Sequence, residues 1–133
     1  MTISIQIKFI FIVMTMIVAE PSRFARAAGA ATPAVKAPAS TPELISKGQS
    51  SYKTNCAICH GDKGDGNGPA GANLKPKARN FISEAFKFGS KPEQVFKLIT
   101  EGAKNNSSMA AFGHLPEQDR WGLVYYVLSL KKK

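Results

Sequence analysis

Five consecutive residues, Cys56-Ala57-Ile58-Cys59-His60, hold both cysteines of a 133-residue chain and one of its two histidines. Residues three and four apart on a helix share a face, so at the end of a helix this spacing raises two thiols and an imidazole toward one object. No further cysteine exists to pair with either thiol, so a disulfide framework cannot hold this fold together. What the three side chains grip has to do that instead. C-x-x-C-H is the pattern of covalent haem attachment, in which the two thiols meet the two vinyl groups and the imidazole rises beneath the iron. The expected cofactor is one covalent haem c with its iron.

Three other uses of the motif compete. A Cys56–Cys59 disulfide suits an oxidising compartment, but so tight a loop stabilises little and leaves His60 unexplained. A thioredoxin-like pair wants a strand before it and a helix after it, whereas here a helical pattern comes before. A zinc site would recruit Cys56, Cys59, His60 and His114, yet His60 directly follows Cys59, unlike the paired spacings of zinc modules. Haem accounts for all three motif residues at once.

The length suits one domain, and the first residues stand apart from it. Lys8 precedes an 11-residue apolar run, 9–19, and Glu20, Pro21 and Arg23 follow. A membrane-crossing helix needs ~20 apolar residues, so this order reads as an export signal and no permanent span is expected. Ala25-Arg26-Ala27 places the cut after Ala27, with Ala28 as the neighbouring candidate and an uncleaved anchor as the less favoured alternative. Residues 1–27 are thus assigned to a signal peptide. Residues 28–42, mostly Ala, Pro and Thr, have too little apolar bulk to repay ordering and read as a flexible linker. The domain is 43–133.

The formal charge is +9. Setting aside Lys8, Arg23, Arg26, Lys36 and Glu20 leaves 14 basic against 8 acidic residues, a domain balance of +6. Such a surplus suits nucleic acid, anionic lipid or an acidic protein. Export argues against nucleic acid, and no nucleic-acid-binding motif accompanies the lysines. The expected partners are redox proteins, acidic ones among them, met by a monomer.

Hydrophobic spacing gives an all-α domain. Thr41-Pro42-Glu43 is a helix start, after which Leu44, Ile45, Gly48, Tyr52 and Cys56 recur near one face. Ser90-Lys91-Pro92-Glu93 has the form of an S-x-x-E capping box before Val95, Phe96, Leu98 and Ile99, and Gly102 ends that stripe. A last helix opens at Pro116-Glu117, carries Trp121, Val124, Tyr125 and Leu128, and ends in Lys131, Lys132 and Lys133, where positive charge suits the dipole. The polar stretches 61–80 and 103–114 show no strand alternation. A domain with so much loop has a thin core, which the haem would fill.

The ligand on the far side of the iron decides the function. An iron held from both sides is closed and suits electron transfer, whereas an open position admits a gas or peroxide. Met1, Met14 and Met16 fall in the signal, leaving Met109 for the domain. It sits in the polar loop 107–112, which can fold back over the haem. His114 is the rival, and Met109 is preferred.

In these residues the domain resembles the class I c-type cytochromes, small all-helical carriers with one haem found in bacterial respiratory chains. The resemblance spans 44–130. In that family an N-terminal helix with a Gly and an aromatic crosses a C-terminal helix with an L-x-x-Y pattern, here Gly48 and Tyr52 against Leu123 and Tyr126. Asn55 and Gly61 flank the motif, Gly68-Pro69 follows, and then comes a methionine with a short aromatic loop. The resemblance implies a small cytochrome c-like helical domain wrapped around its haem, with His60 and Met109 as the axial ligands. It further implies that the Pro69 carbonyl accepts a hydrogen bond from the His60 ring, fixing the imidazole and tuning its basicity. Two positions depart from the family pattern. Ala110 stands where proline often follows the ligand methionine, and Pro116 stands where Ser or Thr usually caps the last helix.

The expectation is therefore a periplasmic single-electron carrier that transforms no substrate. The alternative is a haem enzyme or sensor with a displaceable sixth ligand, for which His114 is the one distal acid or base near Met109.

Overall fold

In the computed structural model, which describes residues 35–104 and 108–131, Thr41 begins the first helix as its chemistry predicts. Its Oγ1 accepts the Leu44 N–H at 3.2 Å, Pro42 takes the first helical position, and Glu43 lies in the first turn, where a negative charge suits the dipole. This is α1 (Pro42–Asn55). A single-turn helix α2 (Ala57–His60), a 3₁₀ turn (Gly71–Asn73), α3 (Pro92–Glu101) and α4 (Glu117–Leu130) follow, and the described residues contain no strand. The expected signal 1–27, residues 28–34 of the linker, residues 105–107, Lys132 and Lys133 lie outside the described residues.

The expected crossing of the first and last helices is present, and it is closer than the sequence suggested. A Cβ on Gly48 would lie 1.9 Å from the Gly122 carbonyl oxygen, and one on Gly122 would lie 2.7 Å from the Leu44 carbonyl oxygen. Backbone therefore meets backbone, which only glycine on both helices permits. One turn beyond, Tyr52 meets Tyr126 with ring centroids 5.1 Å apart. α3 packs on α4 through Val95, Phe96 and Ile99, and Phe96 stacks on Trp121 at 4.1 Å. The core formed this way is thin: of its large side chains only Tyr52, Leu123 and Val124 are fully buried among the described residues.

Three expectations need correction. The capping box of α3 sits one residue later than Ser90 to Glu93: Lys91 is the N-cap, and Gln94 Oε1 accepts the Lys91 N–H at 3.2 Å. Pro92 causes the shift, because the residue before a proline is held extended, and Lys91 is found at φ −70° and ψ 139°. The motif does not continue α1: Cys56 swings to φ −117°, and the helix restarts at Ala57. The described end of the linker is also laid on the domain, where Ala37 packs against the core and the Tyr125 hydroxyl donates to the Pro38 carbonyl.

Candidate haem centre

The motif turn gathers its three side chains at the point where α1 gives way to α2. Cys56 N–H still donates to Tyr52 O at 2.8 Å, and His60 N–H donates to Cys56 O at 2.9 Å, so Cys56 links the two helices across the bend. Both cysteines are free thiols and half-buried. Burial, with Cys59 adding to it, pushes the Cys56 thiol up to about 11. No three His, Cys, Asp or Glu side chains among the described residues gather as a metal cluster, so the four-ligand zinc arrangement has no counterpart there.

His60 is half-buried and held on two sides. Its Nδ1 lies 3.1 Å from the Arg79 carbonyl oxygen. A carbonyl can only accept, so Nδ1 carries the proton and Nε2 keeps its lone pair. Burial draws the His60 pKa below the ordinary histidine value, and the bond to Arg79 partly opposes this. The ring face stacks on Phe81, with centroids 4.4 Å apart and planes 21° apart. The preceding helix grips the same turn: the buried Tyr52 hydroxyl donates to the Gly61 carbonyl at 2.8 Å.

The ring partner is thus Arg79 and not Pro69. The turn containing Pro69 bonds instead to the backbone of the motif, with Gly68 N–H donating to Cys59 O at 3.2 Å and Ala70 N–H to Ile58 O at 2.9 Å. That approach depends on Gly68, where a Cβ would meet the Ile58 carbonyl oxygen at 2.4 Å. Arg79 was not found from the sequence because a backbone acceptor nineteen residues away leaves no side-chain signature. Phe81 was missed because it lies in an aperiodic stretch.

Met109 is half-buried and packs against the buried core, as does Cys56. Its loop is folded back on the end of α3: Ala103 N–H donates to Met109 O at 3.2 Å, and Phe112 N–H donates to Ile99 O at 2.9 Å. Gly102 makes this return with φ 73°, and a Cβ there would stand 2.9 Å from Met109 O. His114 is exposed, with its ring 6.0 Å from that of Phe112. The structure therefore gathers Cys56, Cys59 and His60 in one turn, sets Met109 on the shared core, and leaves His114 outside.

This donor set fits a c-type haem. Two free thiols stand three residues apart, followed directly by an imidazole whose Nε2 lone pair is kept for a metal by the bond at Nδ1. Known proteins agree. Residues 43–127 match the family model described as cytochrome C oxidase, cbb3-type, subunit III. The Cbb3-type cytochrome c oxidase subunit FixP of Sinorhizobium medicae (strain WSM419) is 34% identical over 95 residues, which are 65% of this chain and 30% of that protein. Among solved structures, a chain of the Kuenenia stuttgartiensis reducing HAO-like protein complex is similar with a TM-score of 0.65 and 32% identity. The match covers 71% of this chain and 47% of that one. Cytochrome c6 from the diatom Phaeodactylum tricornutum matches with a TM-score of 0.47 and 22% identity, over 66% of this chain and 94% of that one. The chain spans less than half the length of the curated relative and of the Kuenenia chain. With thiols, imidazole and helical fold in agreement with a match over 43–127, the chain belongs to the cytochrome c family of the cbb3-type subunit III model, whose domain carries a covalent c-type haem and transfers electrons.

Proposed function

We propose that this domain is a periplasmic single-electron carrier in which His60 and Met109 are the axial ligands of the haem iron. The observation that carries the reading is the Nδ1 bond of His60 to the Arg79 carbonyl, which reserves Nε2 for the metal. Met109 is favoured for the other side because its loop is folded back onto the core, whereas His114 is exposed. When bound, the haem supplies a reversible one-electron couple, which methionine ligation sets higher than a bis-histidine pair would.

The protein's own part is to hold geometry. Cys56 and Cys59 would supply the thioether bonds, His60 keeps its proton on Nδ1, and Tyr52 donates to the Gly61 carbonyl directly after it, which holds the turn. No helix among the described residues is long and apolar enough to cross a membrane. The export pattern in 1–27 supports a periplasmic location. The curated relative's name supports a respiratory redox protein as the partner. In this reading the chain transfers electrons and transforms no substrate.

The ligand set is tested by two substitutions in the holoprotein. Met109→Ala should abolish the weak sulfur-to-iron absorption of the oxidised form and open the reduced iron to carbon monoxide. His114→Ala should leave both properties as they were. The reverse pattern would move the sixth position to His114 and overturn the high-potential reading.

A further inference from the structure

The segment 79–86 touches the His60 ring twice. The Arg79 carbonyl takes the Nδ1 proton at 3.1 Å, which fixes a direction within the ring plane. Phe81 covers one face at 4.4 Å, which blocks tilting out of that plane. A hydrogen bond alone tolerates rotation about its own axis, and a stacked ring alone tolerates sliding. Together they leave the imidazole one orientation.

The segment is also tied down behind these contacts. Phe81 N–H donates to Gly64 O at 2.7 Å, and its ring runs nearly parallel to that of Phe86 at 6.0 Å. Arg79 Nη1 reaches both Glu84 Oε2 and Ala85 O at 2.8 Å, closing the segment on itself. Lys131, at the end of α4, donates to Glu84 O at 3.2 Å and stands over the Phe86 ring. The Glu84 side chain is 50% exposed, so its pair with Arg79 adds little to global stability. What the pair does is shape the segment that carries the two ring contacts.

We propose that residues 79–86 form a brace that sets the plane of the His60 imidazole, with Arg79 and Phe81 as positioning residues and the Arg79–Glu84 pair as the latch. The inference rests on His60 being an iron ligand. Turning an imidazole about its bond to iron changes how its π-orbitals split the iron d-orbitals, so a ligand's surroundings tune the metal without changing the ligand. The brace therefore governs electronic structure separately from haem attachment.

The test uses oxidised holoprotein and reads the low-spin EPR g-values, the spread of the haem methyl resonances in NMR, and the midpoint potential. Phe81→Leu should keep the covalent haem and its low-spin state while shifting the g-values, methyl spread and potential. Phe81→Tyr, which retains the ring, should restore the wild-type pattern. Glu84→Gln should move the same signals in the same direction by a smaller amount, and being at an exposed position it carries the test if Phe81→Leu does not fold. Val95→Ala, a packing change on α3 away from this segment, should leave the three signals in place. Unchanged signals in Phe81→Leu or Glu84→Gln, or equal shifts in Val95→Ala, would overturn the brace even with the ligand set intact. Failure of the ligand reading shows separately, as a low-spin spectrum retained when His60 is replaced by alanine.

Discussion

Gly48→Ala should destabilise the protein even though alanine is the better helix former. The added Cβ would lie 1.9 Å from the Gly122 carbonyl oxygen and 2.8 Å from the Leu123 nitrogen, while ordinary contact begins near 3.4 Å. The shortfall of about 1.5 Å is against backbone, so no rotamer change relieves it and the helices must move apart. Overpacking of this kind costs ~1–3 kcal/mol, and a rigid neighbour places this site at the top of that range. Replacing a helical glycine gives back ~1 kcal/mol. The net loss is then ~2 kcal/mol, which at a urea slope of ~1.5 kcal/mol/M lowers the midpoint by ~1.3 M.

The assay is urea unfolding of oxidised holoprotein, followed by far-ultraviolet circular dichroism and haem absorbance. Gly122→Ala provides an internal comparison, since its Cβ would be 2.7 Å from the Leu44 carbonyl oxygen and has less distance to make up. Its loss should be smaller. Ser50→Ala, on the exposed side of α1, should stay within ~0.5 kcal/mol of wild type. A Gly48→Ala midpoint equal to or above wild type would mean that helix propensity decides the outcome, and the close crossing would be refuted.

Tyr52→Phe should cost ~0.5–1.5 kcal/mol in the same unfolding assay, because the buried Gly61 carbonyl loses one of two donors and keeps only the Gly64 N–H at 3.0 Å; an unchanged midpoint would show that the Tyr52 bond carries nothing. The Asp65 carboxyl should titrate below its ordinary 3.8, since the Asn67 N–H and side-chain amide both donate to it. Its stabilisation is then present above the unfolded value and lost as pH falls through the folded one, and a carboxyl-carbon NMR midpoint at or above 3.8 would contradict this. Electron transfer to an acidic partner should slow steeply as salt brings the screening length to ~10 Å, and Lys-to-Gln changes at Lys53, Lys63, Lys75, Lys77, Lys87 and Lys104 should flatten that dependence. A salt-independent rate in the unmodified protein would reject a basic docking face.

Much of the fold was legible because local chemistry marks it. Thr41 caps, Pro42 starts and Gly102 ends their helices where the residue types alone place them. Gly48 and Tyr52 were readable as a contact face because they repeat at helical spacing, and the motif was readable because its side chains do the chemistry. The exceptions share a cause. Gly122 as the partner of Gly48, Arg79 as the partner of His60, and the shifted cap on α3 depend on backbone atoms or on a neighbour's φ. A backbone carbonyl is the same at every position, so the sequence cannot show which one a side chain meets.

The thin core and the site are consequences of one arrangement. The glycine contact lets α1 and α4 approach closely, and that approach brings Tyr52 against Tyr126. Thus placed and fully buried, Tyr52 points its hydroxyl at the Gly61 carbonyl, the residue directly after His60. Phe81 lies 6.5 Å from the Tyr52 ring and 4.4 Å from the His60 ring, so the crossing and the imidazole share an aromatic neighbour. A change at Gly48 should therefore reach His60 through Tyr52 and Phe81 before the helices separate. Helix packing in this domain thus bears on the geometry around His60 as well as on stability.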